Sequence, residues 1–251
     1  MAADIYRGSL SPAGDRSISR LDTAGLRGIA YAAGPAVIFL LVMTYLFSPD
    51  FYLKWVIEAR GREYQIVEIL TFATALSASI LLAVWIRRAW PSAGWSDRIG
   101  IAAVAVIALA AFFLGGEEIS WGQTYFGWGT PESYRELAAE TNLHNTGIPV
   151  QSLGSVFLIV MFFVLPLVWA LGLRWPAGLR SAIAEGPVIA CLASAFLWQE
   201  TKSLYRFLHE DYAQRTTYIE FFEQINEHKE LLIAVSLLLY AIFRFRHRLP
   251  A

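Results

Sequence analysis

The stretch IGIAAVAVIALAAFFLGG at residues 99–116 runs for eighteen residues without a charge and is followed at once by Glu117-Glu118-Ile119-Ser120-Trp121-Gly122-Gln123. As an α-helix it covers roughly 27 Å, close to the ~30 Å hydrocarbon core of a bilayer. A membrane strand needs only about ten residues and alternates apolar with polar positions, which this run does not. Five further apolar runs, at 29–47, 66–86, 152–172, 183–198 and 231–243, extend the same pattern along the chain. The reading is an all-α polytopic bundle of six transmembrane spans, with short amphipathic helices in the extracytoplasmic loops. Residues 1–28 form a cytoplasmic amino-terminal segment and residues 29–248 a single membrane domain. The 28 residues ahead of the first run are too long for a usual signal-peptide n-region, so the first helix is expected to stay.

Composition supports this. The chain is 56% hydrophobic and 16% charged, where soluble domains carry about 25% charged residues. A net charge of -1 gives no basic surface for nucleic acid, and none is expected as a partner. The single cysteine, Cys191, excludes an intramolecular disulfide and any multi-cysteine metal site. Pro35, Pro166 and Pro187 fall inside the apolar runs, where each predicts a packing kink. Aromatic residues such as Tyr45, Tyr52, Trp90 and Trp121 cluster at run ends and read as interfacial anchors.

Cytoplasmic loops retain Lys and Arg, so charge placement orients the bundle. The segments 1–28, 87–98, 173–182 and 244–251 hold 12 of these residues, and the longer segments 48–65, 117–151 and 199–230 hold 8. Both termini are therefore expected in the cytoplasm. Sixteen of the 21 acids, counting Glu68, then lie at or near the extracytoplasmic face.

Three outer segments carry the polar chemistry. In the first, Glu117 and Glu118 end the third span, where negative charge opposes the helix macrodipole. Neighbouring helical positions differ by about 100°, so only one of the two readily faces the bundle interior. In the second, Thr130 and Pro131 start a short amphipathic helix over 132–143 that delivers Asn142-Leu143-His144-Asn145 ahead of the fourth span. In the third, Glu220, Glu223, Glu227 and Glu230 recur at spacings of three, four and three, which places them on one helical stripe. The apolar run that follows has only 13 residues, roughly 20 Å of helix, so Glu230 is expected below the headgroups and buried in protein. An ionised group there needs a partner or a cation, with His228, Lys229, Lys202, Arg206 or a metal as candidates.

Carboxylates with one histidine suit a hard or borderline divalent cation such as Zn, Mn, Fe or Ca. The catalytic group expected is Glu117, Glu118 and His144. The metal ligands are Glu118, His144, Glu223 and Glu227, with Gln123, Asn145, Glu200, Glu220 and Glu230 in support. A metal-bound water made nucleophilic near neutral pH, with a spare carboxylate as base, would make the protein a membrane-embedded hydrolase or transferase for a lipid or lipid-linked substrate. A non-catalytic subunit docking a membrane-protein partner and an ion-coupled transporter are the alternatives. The transporter is the weaker, because no internal repeat is visible and the acids gather at one face. A phosphate-cradling glycine loop, a His-Glu-x-x-His pair and a Gly-x-Ser-x-Gly elbow are all missing from the sequence.

The Glu-Glu-Ile-Ser-Trp-Gly-Gln motif at 117–123, paired with Asn-Leu-His-Asn at 142–145, resembles a group of uncharacterised bacterial multipass membrane proteins. The resemblance covers 11 residues and implies a bacterial inner membrane without implying a reaction. The His-x-x-x-His of the seven-helix alkaline-ceramidase type is missing from the sequence, so that mechanism is not carried over.

Overall fold

The computed structural model describes residues 13–56, 65–127, 150–172, 177–208, 221–222 and 224–246. Six long helices carry these residues. They are α1 (Ala13–Phe47), α2 (Ile66–Ala89), α3 (Trp95–Glu118), α4 (Val150–Ile159, continuing through a wide π turn at Val160–Val164 into Leu165–Ala170), α5 (Gly186–Leu208) and α6 (Ile225–Arg246). Every apolar run of the sequence falls within or across one of them. Four segments are long and apolar enough to cross a membrane: Ala24–Phe47, Ile66–Ser92, Trp95–Glu118 and Leu153–Ala170. Helices α5 and α6 are comparable in length at 23 and 22 residues, but their ends carry charges such as Glu200, Lys202, Arg206, Glu227, Lys229 and Glu230.

Helix α6 is the hub. It packs against α2 and α5, α2 packs against α3, and α1 packs against α5. Buried residues cover nearly all sides of α6, from Leu231 through Ala234, Leu237 and Tyr240 to Phe243. An all-round apolar helix is stable only inside a bundle or in lipid, and this one lies inside. At 22 residues it reaches roughly 33 Å, so the shortness of its apolar run is made up by the charged turn carrying Glu227 and Glu230. Its far end is held by Tyr240, whose hydroxyl donates to the Ala182 carbonyl at 2.9 Å, and by Arg244, which donates to the Ile183 carbonyl.

The prolines behave differently from one another. Pro35 lies within α1. Pro166 follows the π turn at Val160–Val164, whose wider winding accommodates the ring's missing N–H and its clash with the preceding turn. Pro187 does not kink a helix as its sequence position predicts. It is the second residue of α5, where a missing N–H costs nothing and the fixed φ favours helix initiation. Close approach of α1 to α5 depends on Gly34, where a Cβ would lie 2.7 Å from the Ser194 hydroxyl.

Helix α4 is the outlier. Only 11% of its most apolar window is buried, the least of the four membrane-length segments. Phe162 anchors it, edge-on to Tyr240 with ring centroids 5.4 Å apart. Its loose packing leaves a groove beside α3 and α6.

Candidate acidic site at the head of an apolar groove

The Gly-Gly-Glu-Glu-Ile-Ser-Trp-Gly stretch folds as a compact hook. After Glu118 the chain reverses through Ser120, Trp121 and Gly122 at φ values of 46°, 55° and 77°. Two consecutive non-glycine residues in the left-handed region cost about 1–2 kcal/mol each, so surrounding contacts must hold the turn. The indole supplies them. Trp121 folds back over α3, sits edge-on to Phe112 and Phe113 at 5.8 and 5.4 Å, and donates its Nε1–H to Glu117 Oε1 at 2.7 Å. A Cβ on Gly116 would lie 2.7 Å from the indole ring, so glycine is required beneath it. A Cβ on Gly115 would lie 3.4 Å from the Phe72 carbonyl oxygen, so the end of α3 packs closely against α2.

This hook separates the two adjacent acids. Glu117 is occupied by Trp121, while Glu118 turns toward α2 and α6. Carboxylate oxygens of Glu118, Glu227 and Glu230 all lie within 4.8 Å of one another, and the three residues are half-buried. Glu118 and Glu230 are hydrogen-bonded through their side chains, and Glu68 from the first turn of α2 lies within electrostatic reach of Glu118. Two carboxylates hydrogen-bond only when a proton lies between them. At an effective dielectric near 20, like charges 4.8 Å apart repel by ~3.5 kcal/mol. The cluster therefore demands protons or a cation. Its donors are all oxygen, the chemistry of Ca, Mg or Mn more than of Zn.

The cluster opens onto the groove between α3, α4 and α6, a cavity of about 460 Å³, within the ~300–1,000 Å³ of small-molecule sites. Leu109 and Phe113 of α3, Leu153 and Phe157 of α4, and Ile233 and Leu237 of α6 make its apolar walls. Glu117, Glu118, Lys229 and Glu230 line the same cavity. They lie where α3 ends and α6 begins, so the groove is polar at one end and hydrocarbon-like along the rest.

His228 has a separate role from the one its neighbourhood suggests. It does not answer Glu230. It is fully buried, with Trp198 Nε1–H donating to its Nδ1 at 3.2 Å and Tyr52 Oη 2.5 Å from its Nε2. An indole N–H can only donate, so Nδ1 accepts and the ring proton resides on Nε2, facing Tyr52. Phe221, at 5.3 Å, and the stacked Trp198 complete the cage. Burial pushes the pKa of the Tyr52 phenol up. The result is a neutral clasp joining the segment after α1, the middle of α5 and the start of α6.

Of the residues expected from the sequence, Glu118, Glu227 and Glu230 come together, Glu117 borders them, and Gln123 lies half-buried at the start of the short helical turn Gln123–Phe126. Glu200 does not join them: it is exposed on α5, outside the cluster, because its helical position faces away from the bundle. His144, Asn145, Glu220 and Glu223 lie outside the described residues, as does the helix expected over 132–143. Helix α6 begins at Ile225, so Glu227 and Glu230 share it with the apolar run. Sequence reasoning missed Lys229 as a groove residue and Trp121 as a support for Glu117. The only sequence signal for the hook is the pair Gly115-Gly116 followed by Gly122. No protein-family model, curated protein or solved structure matches the chain. The membrane-length helices and the groove define the class: an integral membrane protein in a lipid bilayer.

Proposed function

We propose that the chain is a membrane-embedded hydrolase or transferase that uses a divalent cation, held by Glu118, Glu227 and Glu230, to act on a lipid or lipid-linked substrate. One observation carries this reading: three carboxylates lie within 4.8 Å of one another, and two of them, Glu118 and Glu230, line an apolar groove of about 460 Å³. A cation at that point would polarise an ester or phosphoryl oxygen and activate a water. Glu117, fixed by Trp121, is the positioned carboxylate that could accept the water's proton. Mn or Ca suits the oxygen donors; Zn or Fe would call for His144 as well. In this reading α5 and α6 complete six spans, the termini are cytoplasmic, and the site faces the extracytoplasmic leaflet of a bacterial inner membrane. Charge placement and the paired 117–123 and 142–145 motifs support that arrangement.

A second reading, a proton- or cation-coupled carrier, draws support from the hydrogen-bonded Glu118–Glu230 pair. Convergence of the acids weighs against a docking subunit, which gains nothing from like charges held together. The test is incubation of purified protein in phosphatidylethanolamine–phosphatidylglycerol vesicles with Mn²⁺, Ca²⁺ or Zn²⁺, followed by mass spectrometry of the lipids. Cleaved or transferred lipid products that require the metal and vanish in Glu118→Gln are expected. Unchanged lipids with every metal, together with proton or cation flux, would favour the carrier.

A further inference from the structure

Lys229 stands apart from every other charge at the groove. The residue is 7% exposed, it lines the cavity beside Glu118 and Glu230, and its side chain makes no ion pair or hydrogen bond with any side chain among the described residues. A lysine buried to that degree is nearly always paired. Several other basic side chains described in the bundle have partners. Arg27 pairs with Glu185, Arg88 stacks on Phe245, and Arg244 caps the Ile183 carbonyl. Lys229 lines an apolar cavity instead.

We infer that this groove binds an anionic amphiphile, a single hydrocarbon chain with a phosphate or carboxylate head, and that Lys229 recognises the head. The inference rests on the proposed reading of the groove as a lipid site and adds the chemical class of its ligand. An anion beside Glu118 and Glu230 would be repelled by bare carboxylates. It becomes favourable when a divalent cation neutralises them and offers a coordination position to the same head. Lys229 and the cation then grip the head from two sides, while the walls from Leu109 to Leu237 take the chain. Head binding and cation binding are thereby coupled, each tightening the other by the same factor. The apolar walls favour an amphiphile over a free inorganic anion, because only the amphiphile has a chain to pack against them.

The experiment uses the full chain in maltoside detergent with dodecyl phosphate, inorganic phosphate and dodecyltrimethylammonium as probes, measured by calorimetry with and without Mn²⁺. Dodecyl phosphate should bind at least tenfold more tightly than either other probe, and tenfold more tightly with Mn²⁺ than without. Lys229→Met should lose tenfold or more for dodecyl phosphate while its Mn²⁺ paramagnetic-resonance signal stays as in the wild type. Lys229→Arg should restore binding. Equal binding by wild type and Lys229→Met overturns the inference and leaves the cation site standing. Dodecyl phosphate binding that needs Lys229 but ignores Mn²⁺ keeps the head assignment and removes the cation. Inorganic phosphate binding as tightly as dodecyl phosphate overturns the lipid class in favour of a soluble anion.

Discussion

Replacing Glu118 by glutamine separates a cation site from a merely polar helix end. Glu118 faces Glu227 and Glu230 with carboxylate oxygens within 4.8 Å, so it takes part in two like-charge pairs worth ~3.5 kcal/mol each at an effective dielectric near 20. Without a cation, binding one proton at pH 7.5 is the cheaper escape. For an ordinary glutamate that costs about 4 kcal/mol. The chelated wild type therefore carries a penalty near the smaller figure, and glutamine removes it while its amide still donates to Glu230. In detergent with excess chelator at pH 7.5, Glu118→Gln should raise stability by up to ~4 kcal/mol, an increase in Tm on the order of 10 °C. Saturating Mn²⁺ should close most of the gap. At a hundredfold excess over Kd it stabilises the wild type by about 2.7 kcal/mol and the variant far less. A Glu118→Gln protein that melts below the wild type in chelator and responds equally to Mn²⁺ would refute the reasoning.

His228→Ala leaves the Trp198 Nε1–H and the Tyr52 hydroxyl without their buried partner and should cost about 1–3 kcal/mol for each group left unsatisfied, read as a fall in Tm. Gly116→Ala places a methyl 2.7 Å from the indole of Trp121 and should cost about 1–3 kcal/mol, with a changed tryptophan emission as the hook opens. Glu200→Gln, on an exposed position, should leave Tm within the small range of surface changes and Mn²⁺ binding untouched.

The helical frame was legible because hydrocarbon sets length: uncharged runs near twenty residues have few structures open to them, and each run lies within or across a helix. Period-3.6 spacing likewise placed Glu227 and Glu230 on one stripe, and the 100° offset between Glu117 and Glu118 matches their different surroundings. What stayed hidden depends on contacts distant in sequence or on unusual backbone. His228 meets Tyr52 across 176 residues, a pairing that no local pattern announces. Trp121 reads as an interfacial anchor because nothing in Ser120-Trp121 signals a left-handed turn, which β-carbons normally resist. Pro187 looks like a kink until the helix is seen to begin beside it. Lys229 hides among acids, and only the cavity separates it from a simple ion pair.

The central claim is that the clustered carboxylates exist to hold a positive ion. Titration of the chelator-stripped, full-length protein with Mn²⁺, followed by paramagnetic resonance, tests it most directly. One site per chain that disappears in both Glu118→Gln and Glu230→Gln and persists in Glu200→Gln is the predicted result. Free Mn²⁺ throughout the titration, with the wild type indistinguishable from Glu118→Gln, would contradict it.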